Sequence, residues 1–415
     1  MTNVKENTIN YVTFQEHDHS NDHEVNDSII DSSITITHIE VISSTNAFFA
    51  LRDEWNVIND SSPKGGIFTS WEWLYTWWEV YKNDGNRQLY ILIYKDQSNK
   101  IFGIAPFQII NNPKRYFPCS RQVVLLGTDE TDGSFVFGEY MDLIITPTCE
   151  LLAINAFSSF LMTHQSLWDG INFHELLGDS YLSRLFSHYP EKIIKKVTEK
   201  GFRTYINLPD TYNNYLMGLH KKMRSNINRT FTRLKTEQQY DIKTINTESE
   251  GDEAISILAE LNRTRREDLG VSSSFEQPNF EEFHKKVIKR LLPLNKVKLR
   301  ILSFSDKPVV AVYSFVDNET IHVYQSGFEV KHGQRYSLLT TMLTQEISKS
   351  IQDPSLKCLN FMYDDNENTY KRRYSGITEE MYEISYEKRG IRQKIYSVIH
   401  GPIKRGVKRL FFKAS

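Results

Sequence analysis

The strongest constraint on the fold is the order of apolar segments between residues 297 and 386. The turns Asp306-Lys307-Pro308 and Asp317-Asn318-Glu319 separate three short apolar segments, a pattern that predicts consecutive antiparallel strands. Further on, apolar residues at helical spacing predict a helix that begins after a Gly-bearing loop. In order, the predicted elements are strands at 297–304, 308–316 and 320–326, a helix at 336–351, a strand at 356–361, a helix at 366–374 and a strand at 381–386. This order predicts an α/β (α+β) fold with a mixed, mostly antiparallel central sheet that contains both 320–326 and 356–361.

The chain before residue 209 also alternates predicted strands and helices, so we expect a second folded region there. We divide the chain into four segments: a disordered polar tail at 1–33, an N-terminal domain at 34–208, a C-terminal domain at 209–388 and a basic tail or helix at 389–415. Further predicted elements are strands at 101–110, 140–145 and 192–198, the segment 203–208, helices at 213–235 and 252–268, and a loop at 327–334.

Composition excludes several classes of protein. A net charge of −2 gives no overall attraction to DNA or to membranes, and no apolar run is long enough to span a bilayer. The three cysteines are too few and too widely spaced for a disulfide framework, and no signal peptide precedes them, so we expect a cytoplasmic protein. The basic C-terminal tail could contact a membrane surface or pack as a terminal helix.

Several motifs resemble the GNAT acyltransferase superfamily, and in particular its CelD-like branch, whose members often occur in systems that make cell-surface polysaccharides. The chain contains an aromatic entry helix at 67–78, the basic segment 222–229 and, after strand 356–361, the pattern Glu-x-x-Tyr-Lys-x-x-aromatic. The resemblance extends over roughly residues 35–390 and implies a GNAT-like fold, with two tandem halves as in the related FemAB-type transferases. It also implies an acyl-CoA donor such as acetyl-CoA, and no metal.

Candidate catalytic residues lie near the end of strand 356–361, where ligands of α/β proteins commonly bind. Asp365 and Glu367 are candidate bases there, and Tyr370 could protonate the leaving thiolate, a role that the resemblance implies. His322 is a third candidate base, because the alternation of strand 320–326 places it on one face with Tyr324 and Ser326. The sequence does not decide which of His322, Glu367 and Asp365 is the base.

Candidate ligand-binding residues fall into two groups. A helix N-terminus with a glycine and nearby cations suits a pyrophosphate, so we predict that coenzyme A binds at Gly333, Gln334, Arg335, Tyr336, Ser337 and Leu338. A second set of polar and basic side chains could line an acceptor cleft: Arg224, Arg229, Arg265, Arg266, Tyr324, Lys371 and Arg373.

Three functions compete at this level. The leading hypothesis is an acyl-CoA-dependent transfer, N- or O-acetyl transfer above all, to an amine or hydroxyl of a sugar, a polysaccharide precursor or a small metabolite. The second is an aminoacyl transfer from a charged tRNA, as in FemAB-type relatives. The third is a non-catalytic scaffold, in which the carboxylates near residue 365 only cap a solvated helix.

Overall fold

The computed structural model describes residues 37–83, 86–111, 121–130, 136, 138–365 and 370–389. The predicted polar tail at 1–33, Glu367 and all but the first residue of the predicted basic tail at 389–415 lie outside the described residues. None of the described helices is both long enough and apolar enough to cross a lipid bilayer.

The elements up to residue 207 combine short strands with four helices, as far as this part of the chain is described. They are β1 (Thr37–Ile42), α1 (Thr45–Ala50), α2 (Arg52–Ser61), α3 (Trp71–Tyr81), β2 (Arg87–Leu89), β3 (Ile91–Asp96), β4 (Ile101–Ala105), β5 (Phe107–Asn111), β6 (Arg121–Leu125), β7 (Ile144–Ile145), α4 (Glu150–Thr163), β8 (Gly170–Leu177) and β9 (Ile193–Asn207).

The elements after residue 207 include the predicted strands and helices in their predicted order, together with further elements. They are α5 (Tyr212–Gly218), α6 (Lys221–Glu237), β10 (Tyr240–Thr244), α7 (Glu248–Asp268), α8 (Pro278–Leu291), β11 (Val297–Phe304), β12 (Lys307–Asp317), β13 (Thr320–Phe328), α9 (Val330–Tyr336), α10 (Leu338–Gln352), β14 (Cys358–Asp364), a 3₁₀ helix (Tyr370–Tyr374) and β15 (Ile377–Lys388).

Two sheets organise these strands. The larger has eleven strands in the order β10-β11-β12-β13-β14-β9-β15-β8-β6-β5-β2, and the smaller has the order β1-β3-β4-β7. Neighbouring strands pair antiparallel except β13 with β14 and β6 with β8. The mixed, mostly antiparallel sheet is therefore confirmed, and the segments 320–326 and 356–361 are neighbours within it. Strands from both sides of residue 208 take part in the larger sheet; the division into domains there remains a proposal.

The two faces of the larger sheet pack against different layers because side chains alternate along each strand. On β12, Val310 and Val312 contact a core formed with α10, whereas Tyr313 and Phe315 contact the aromatic core of the N-terminal part. Helix α3 fills this second core: it begins at the Ser70 N-cap, and its apolar residues surround it on all sides. Its Trp73 ring packs edge-on against the rings of Phe315 and Tyr324, so α3 braces β12 and β13.

Local breaks account for the predictions that the structure corrects. The helix predicted at 213–235 is two helices, because His220 caps a new helix that begins at Lys221: its Nδ1 accepts a hydrogen bond from the Lys222 N–H. The strand predicted at 101–110 is interrupted at Pro106, which has no N–H to donate. Conversely, the strand predicted at 192–198 continues through the segment 203–208 as the single strand β9.

Two further differences lie close to the candidate site. The loop predicted at 327–334 is largely helical as α9, and Ser337, in the left-handed conformation with φ 43°, separates α9 from α10. Residues Tyr370–Tyr374 form a 3₁₀ helix within the helix predicted at 366–374. Strand β10 and helix α8 are not predicted from the sequence at all.

Candidate functional site

A cleft opens at the point where β13 and β14 cease to pair. The two strands pair in parallel over only three residues each, from Thr320 opposite Cys358 to His322 opposite Asn360. Beyond that point each strand has a register shift against its other neighbour. The pairing of β13 with β12 shifts between Tyr313 and Ser314 of β12, and the pairing of β14 with β9 shifts between Asn360 and Tyr363 of β14. The resulting cleft has a volume of about 260 Å³ and is lined by β13, β14, α7, α10, the 3₁₀ helix and residue 139.

The bulge of β14 directs the N–H groups of Met362 and Tyr363 to side-chain acceptors instead of to the neighbouring strand β9. Met362 has a positive φ of 65°, which is unusual for a residue with a long side chain and occurs often at functional sites. Its N–H donates to Asn360 Oδ1 at 2.9 Å, and the next N–H, of Tyr363, donates to Glu139 Oε2 at 2.7 Å. The bulge thereby fixes a carboxylate from the N-terminal part of the chain at the cleft.

Glu139 is the acidic residue of the cleft wall within the described part of the chain. Its side chain is buried, with the residue 2% exposed, and burial raises its pKa to about 7, although the neighbouring Tyr140 phenol and the Lys371 ammonium favour the carboxylate. Glu175 lies nearby, and burial together with the charges of Glu139 and Glu130 raises its pKa well above the usual range. A carboxyl group with a pKa near 7 can both accept and release a proton at neutral pH.

Lys371 fixes the shape of the bulge from the other side. Its ammonium donates to the carbonyl of Met362 at 3.2 Å and to that of Tyr363 at 2.6 Å, and lies 3.4 Å from Asp364 Oδ2. Burial lowers the pKa of this ammonium, while Asp364 and Glu139 raise it. The predicted acceptor ligand Lys371 therefore lines the cleft but also ties together the strand end that holds Glu139.

Four residues predicted as site residues also line the cleft: Tyr370, Tyr324, Arg265 and Arg266. Tyr370 is 40% exposed; partial burial raises the pKa of its phenol, an effect that Arg265 opposes. Arg265 lies over the Phe328 ring, 4.7 Å from its centroid, and the Arg266 Nε donates to the carbonyl of Ser272. The structure thus brings together four predicted residues from three separate elements.

His322 lies beside the cleft but not in its lining. The residue is 8% exposed, and its Nδ1 accepts a hydrogen bond of 3.2 Å from the Asn360 amide. Burial and the nearby Arg203 guanidinium lower the pKa of this imidazole to about 3, which makes it a weak base. Asp365 is exposed at the mouth of the strand end, and Glu367 lies outside the described residues.

The predicted coenzyme A residues lie on α9 and at the start of α10. Three backbone amides there, of Leu338, Leu339 and Thr340, precede the first bond of the helix, which runs from Thr341 N to Ser337 O. Such amides are suited to a phosphate. The flanking side chains have other contacts: Arg335 forms an ion pair with Glu237 at 2.7 Å, and Tyr336 is buried. Gln334 belongs to α9 by its backbone.

Gly333 has a packing role in this structure. A Cβ at this position would lie 2.7 Å from an edge carbon of the Phe328 ring. The glycine therefore lets α9 approach β13 closely, whereas the sequence suggested that it would let a phosphate approach the backbone.

The remaining predicted acceptor ligands do not line the cleft. Arg224 donates to the carbonyls of Met217 and Leu219 and so joins α5 to α6. Arg229 bonds Asn226 on the exposed surface of α6, and Arg373 is exposed on the 3₁₀ helix.

Sequence reasoning missed Glu139, Glu175 and Asn262, whose amide donates to the Ser326 carbonyl in the cleft wall. No motif surrounds these residues. The strand predicted at 140–145 is observed only at Ile144–Ile145, and Glu139 lies in the irregular segment before it. Among the described residues, no group of three or more potential ligands could hold a metal ion.

Comparison with protein families assigns the C-terminal part of the chain. Residues 221–372, which contain α6, β13, β14 and all of the cleft lining except Glu139, match the family described as an acetyltransferase (GNAT) domain. Over these residues the chain is similar to GNAT-type acetyltransferase domains.

Two solved structures resemble most of the chain in fold. One is FemX, with a TM-score of 0.55 at 10% identity, over 84% of this chain and 98% of that one. The other is a conserved protein of unknown function from Bacteroides thetaiotaomicron VPI-5482, with a TM-score of 0.50 at 11% identity, over 84% of this chain and 100% of that one. At such identities the likeness is one of fold. A comparison with curated proteins found no match.

Proposed function

We propose that the protein is an acyltransferase that moves an acyl group from acyl-CoA to an amine or hydroxyl acceptor bound between β13 and β14. One observation carries this proposal: the cleft between β13 and β14 holds a buried carboxyl from the N-terminal part of the chain, Glu139, with a pKa raised to about 7. A base of this strength is what a direct attack on a thioester requires at neutral pH.

Each step of the proposed reaction uses a group of the cleft. The acceptor nitrogen or oxygen attacks the thioester carbonyl carbon, and its proton passes to the Glu139 carboxylate. The carbon–sulfur bond then breaks, and the departing thiolate takes a proton from the Tyr370 hydroxyl, which lines the same cleft. Lys371 is a positioning residue, since it holds the bulge carbonyls beside Glu139. Glu139 then releases its proton to bulk solvent, and Tyr370 takes up a proton from bulk solvent, so that both groups return to their starting states.

The donor is the less constrained part of the proposal. The backbone amides at the start of α10 point to a site for the pyrophosphate of coenzyme A. However, helix α9 occupies the segment predicted as a phosphate loop, and its Arg335 is paired with Glu237. This closed segment favours a second candidate, an aminoacyl transfer from a charged tRNA, whose donor ester needs no pyrophosphate pocket.

The finer assignments rest on the sequence. We place the reaction in the cytoplasm, with which the free thiols of Cys149 and Cys358 are compatible. We propose a sugar, a polysaccharide precursor or a small metabolite as acceptor, in keeping with the CelD-like motifs. Two tandem GNAT-like halves and a membrane contact through the basic tail belong to the same proposal.

Thiol release from acetyl-CoA tests the proposed function. The full-length protein is incubated with acetyl-CoA and a panel of amino sugars and small amines, and the free thiol is measured together with the acylated product. Glu139→Gln should lower turnover by about a hundredfold or more, as expected for loss of a general base. The matched control is Glu260→Gln, an exposed carboxylate on α7.

Two results would refute the acyl-CoA reaction. One is the absence of product with every acyl-CoA tried while charged tRNA supports transfer, which would establish the second candidate. The other is equal turnover by the wild type and Glu139→Gln. If neither donor binds nor reacts, the protein is a scaffold.

A further inference from the structure

The cleft has one cation whose charge the described structure does not balance. Arg265 is half-buried in the cleft wall, where its guanidinium lies over the Phe328 ring at 4.7 Å. In the described part of the chain this guanidinium has no ion-pair partner and no hydrogen-bond acceptor. Other arginines in the same region are paired, such as Arg263 with Glu281 at 2.6 Å and Arg335 with Glu237 at 2.7 Å.

Burial without a partner is unfavourable for a guanidinium. Loss of water lowers the pKa of Arg265, and its neighbour Arg266 lowers it further. The Arg265 guanidinium has five N–H donors in one plane, and the Phe328 ring packs against a face of that plane and not against the donors at its edge. An anion that enters the cleft could take up these donors and restore the lost solvation.

The charges of the lining favour the same ligand. Three cations, Arg265, Arg266 and Lys371, face the cleft against the single carboxyl of Glu139 among the described residues. Lys371 is engaged with backbone carbonyls, and Arg266 reaches toward Ser272 at the exposed rim. Arg265 is therefore the cation best placed to bind an anionic group inside the cleft.

We propose that Arg265 forms an anion subsite of the cleft, which binds a carboxylate or phosphate of the ligand in a bidentate manner. The inference deepens the proposed function, on which it rests for the nature of the ligand: the acceptor or the donor presents an anionic group to α7. The ring of Phe328 and the phenol of Tyr370 border the subsite and set the direction from which the anion enters.

Binding measurements with full-length protein test the subsite independently of turnover. Calorimetric titrations use inorganic phosphate, acetate, the pair glucosamine and glucosamine 6-phosphate, and coenzyme A. The variants are Arg265→Gln, Arg265→Lys and, as a matched control, Arg229→Gln, which removes an exposed guanidinium outside the cleft. A urea unfolding curve for each variant establishes that it is folded.

Arg265→Gln should weaken binding of phosphate or acetate by about tenfold or more, since hydrogen bonds to charged groups are among the stronger ones. Arg265→Lys should recover part of that loss, because it restores the charge but not the fork. Loss of the preference for glucosamine 6-phosphate over glucosamine would assign the anion to the acceptor, and a weaker affinity for coenzyme A would assign it to the donor.

The proposal is wrong if the wild type binds none of these anions, or if Arg265→Gln and Arg229→Gln bind all of them as the wild type does. The outcome is separate from that for the proposed function. If the protein binds anions through Arg265 but transfers no acyl group, the subsite proposal stands and the acyltransferase proposal fails. If the protein is an active transferase and Arg265→Gln binds anions as the wild type does, the acyltransferase proposal stands and the subsite proposal fails.

Discussion

The buried carboxyl of Glu139 should make the stability of the protein depend on pH in a predictable way. Burial raises its pKa from 4.5 to about 7 in the folded protein. The unfolded chain therefore ionises this group at a lower pH than the folded protein does. Its contribution to stability is fully present below pH 4.5, falls as the pH rises, and is lost above about pH 7.

The size of the effect follows from the shift. At about 1.4 kcal/mol for each pKa unit, the change corresponds to about 3 kcal/mol in the free energy of unfolding. Glutamine cannot ionise, yet its side-chain oxygen can still accept the Tyr363 N–H that Glu139 accepts at 2.7 Å. Glu139→Gln should therefore remove the pH dependence while it keeps the hydrogen bond at the bulge.

Urea unfolding at several pH values between 4.5 and 8 measures this difference. The free energy of unfolding of the wild type, relative to that of Glu139→Gln, should fall by about 3 kcal/mol across this range. Glu260→Gln, at an exposed position, should follow the wild type at every pH. A constant difference between the wild type and Glu139→Gln would show that Glu139 ionises normally in the folded protein, and the argument for its role as base would fail.

Two further substitutions test the architecture of the cleft. Lys371→Met should lower the free energy of unfolding by about 1–3 kcal/mol, because it leaves the buried carbonyl of Met362 without its donor. Turnover should also fall, since the bulge of β14 is no longer held in place. A urea unfolding curve equal to that of the wild type would contradict this role of Lys371. Gly333→Ala should destabilise the protein by about 1–3 kcal/mol, because the new methyl would meet the Phe328 ring at 2.7 Å. The double variant Gly333→Ala with Phe328→Leu should recover part of that loss in the same unfolding experiment, and equal stability of Gly333→Ala and wild type would refute the packing role.

The sequence predicts the strand order around the cleft because its signals are local. Alternating apolar residues and turn residues lie within a few positions of one another in β11, β12 and β13. Tyr370 and Lys371 likewise follow the predicted strand 356–361, and Arg265 lies on the predicted helix 252–268. The resemblance to GNAT proteins adds the expectation that these elements meet at one site.

The residues that the sequence does not predict depend on contacts between distant parts of the chain. Glu139 reaches the cleft through a hydrogen bond to Tyr363, 224 positions later, and no local pattern encodes that pairing. The left-handed turns at Ser337 and Met362 are also invisible, because neither residue type signals a positive φ. The ion pair of Arg335 with Glu237 cannot be predicted from the sequence either, because the sequence shows the charge of Arg335 but not its partner.

Strand β9 has a consequence for how the chain can be shortened. It lies between β14 and β15 in the larger sheet, so residues 221–372, which match the acetyltransferase family, do not supply all the neighbours of their own strands. A fragment that begins after residue 207 would leave the backbone of β14 and β15 unpaired along two facing edges, and such edges recruit other chains. During synthesis, β9 must likewise wait for partners such as Asp364, which pairs with Phe202, before its hydrogen bonds can form. Residues 221–372 are therefore best studied together with β9 and the rest of the N-terminal part of the chain.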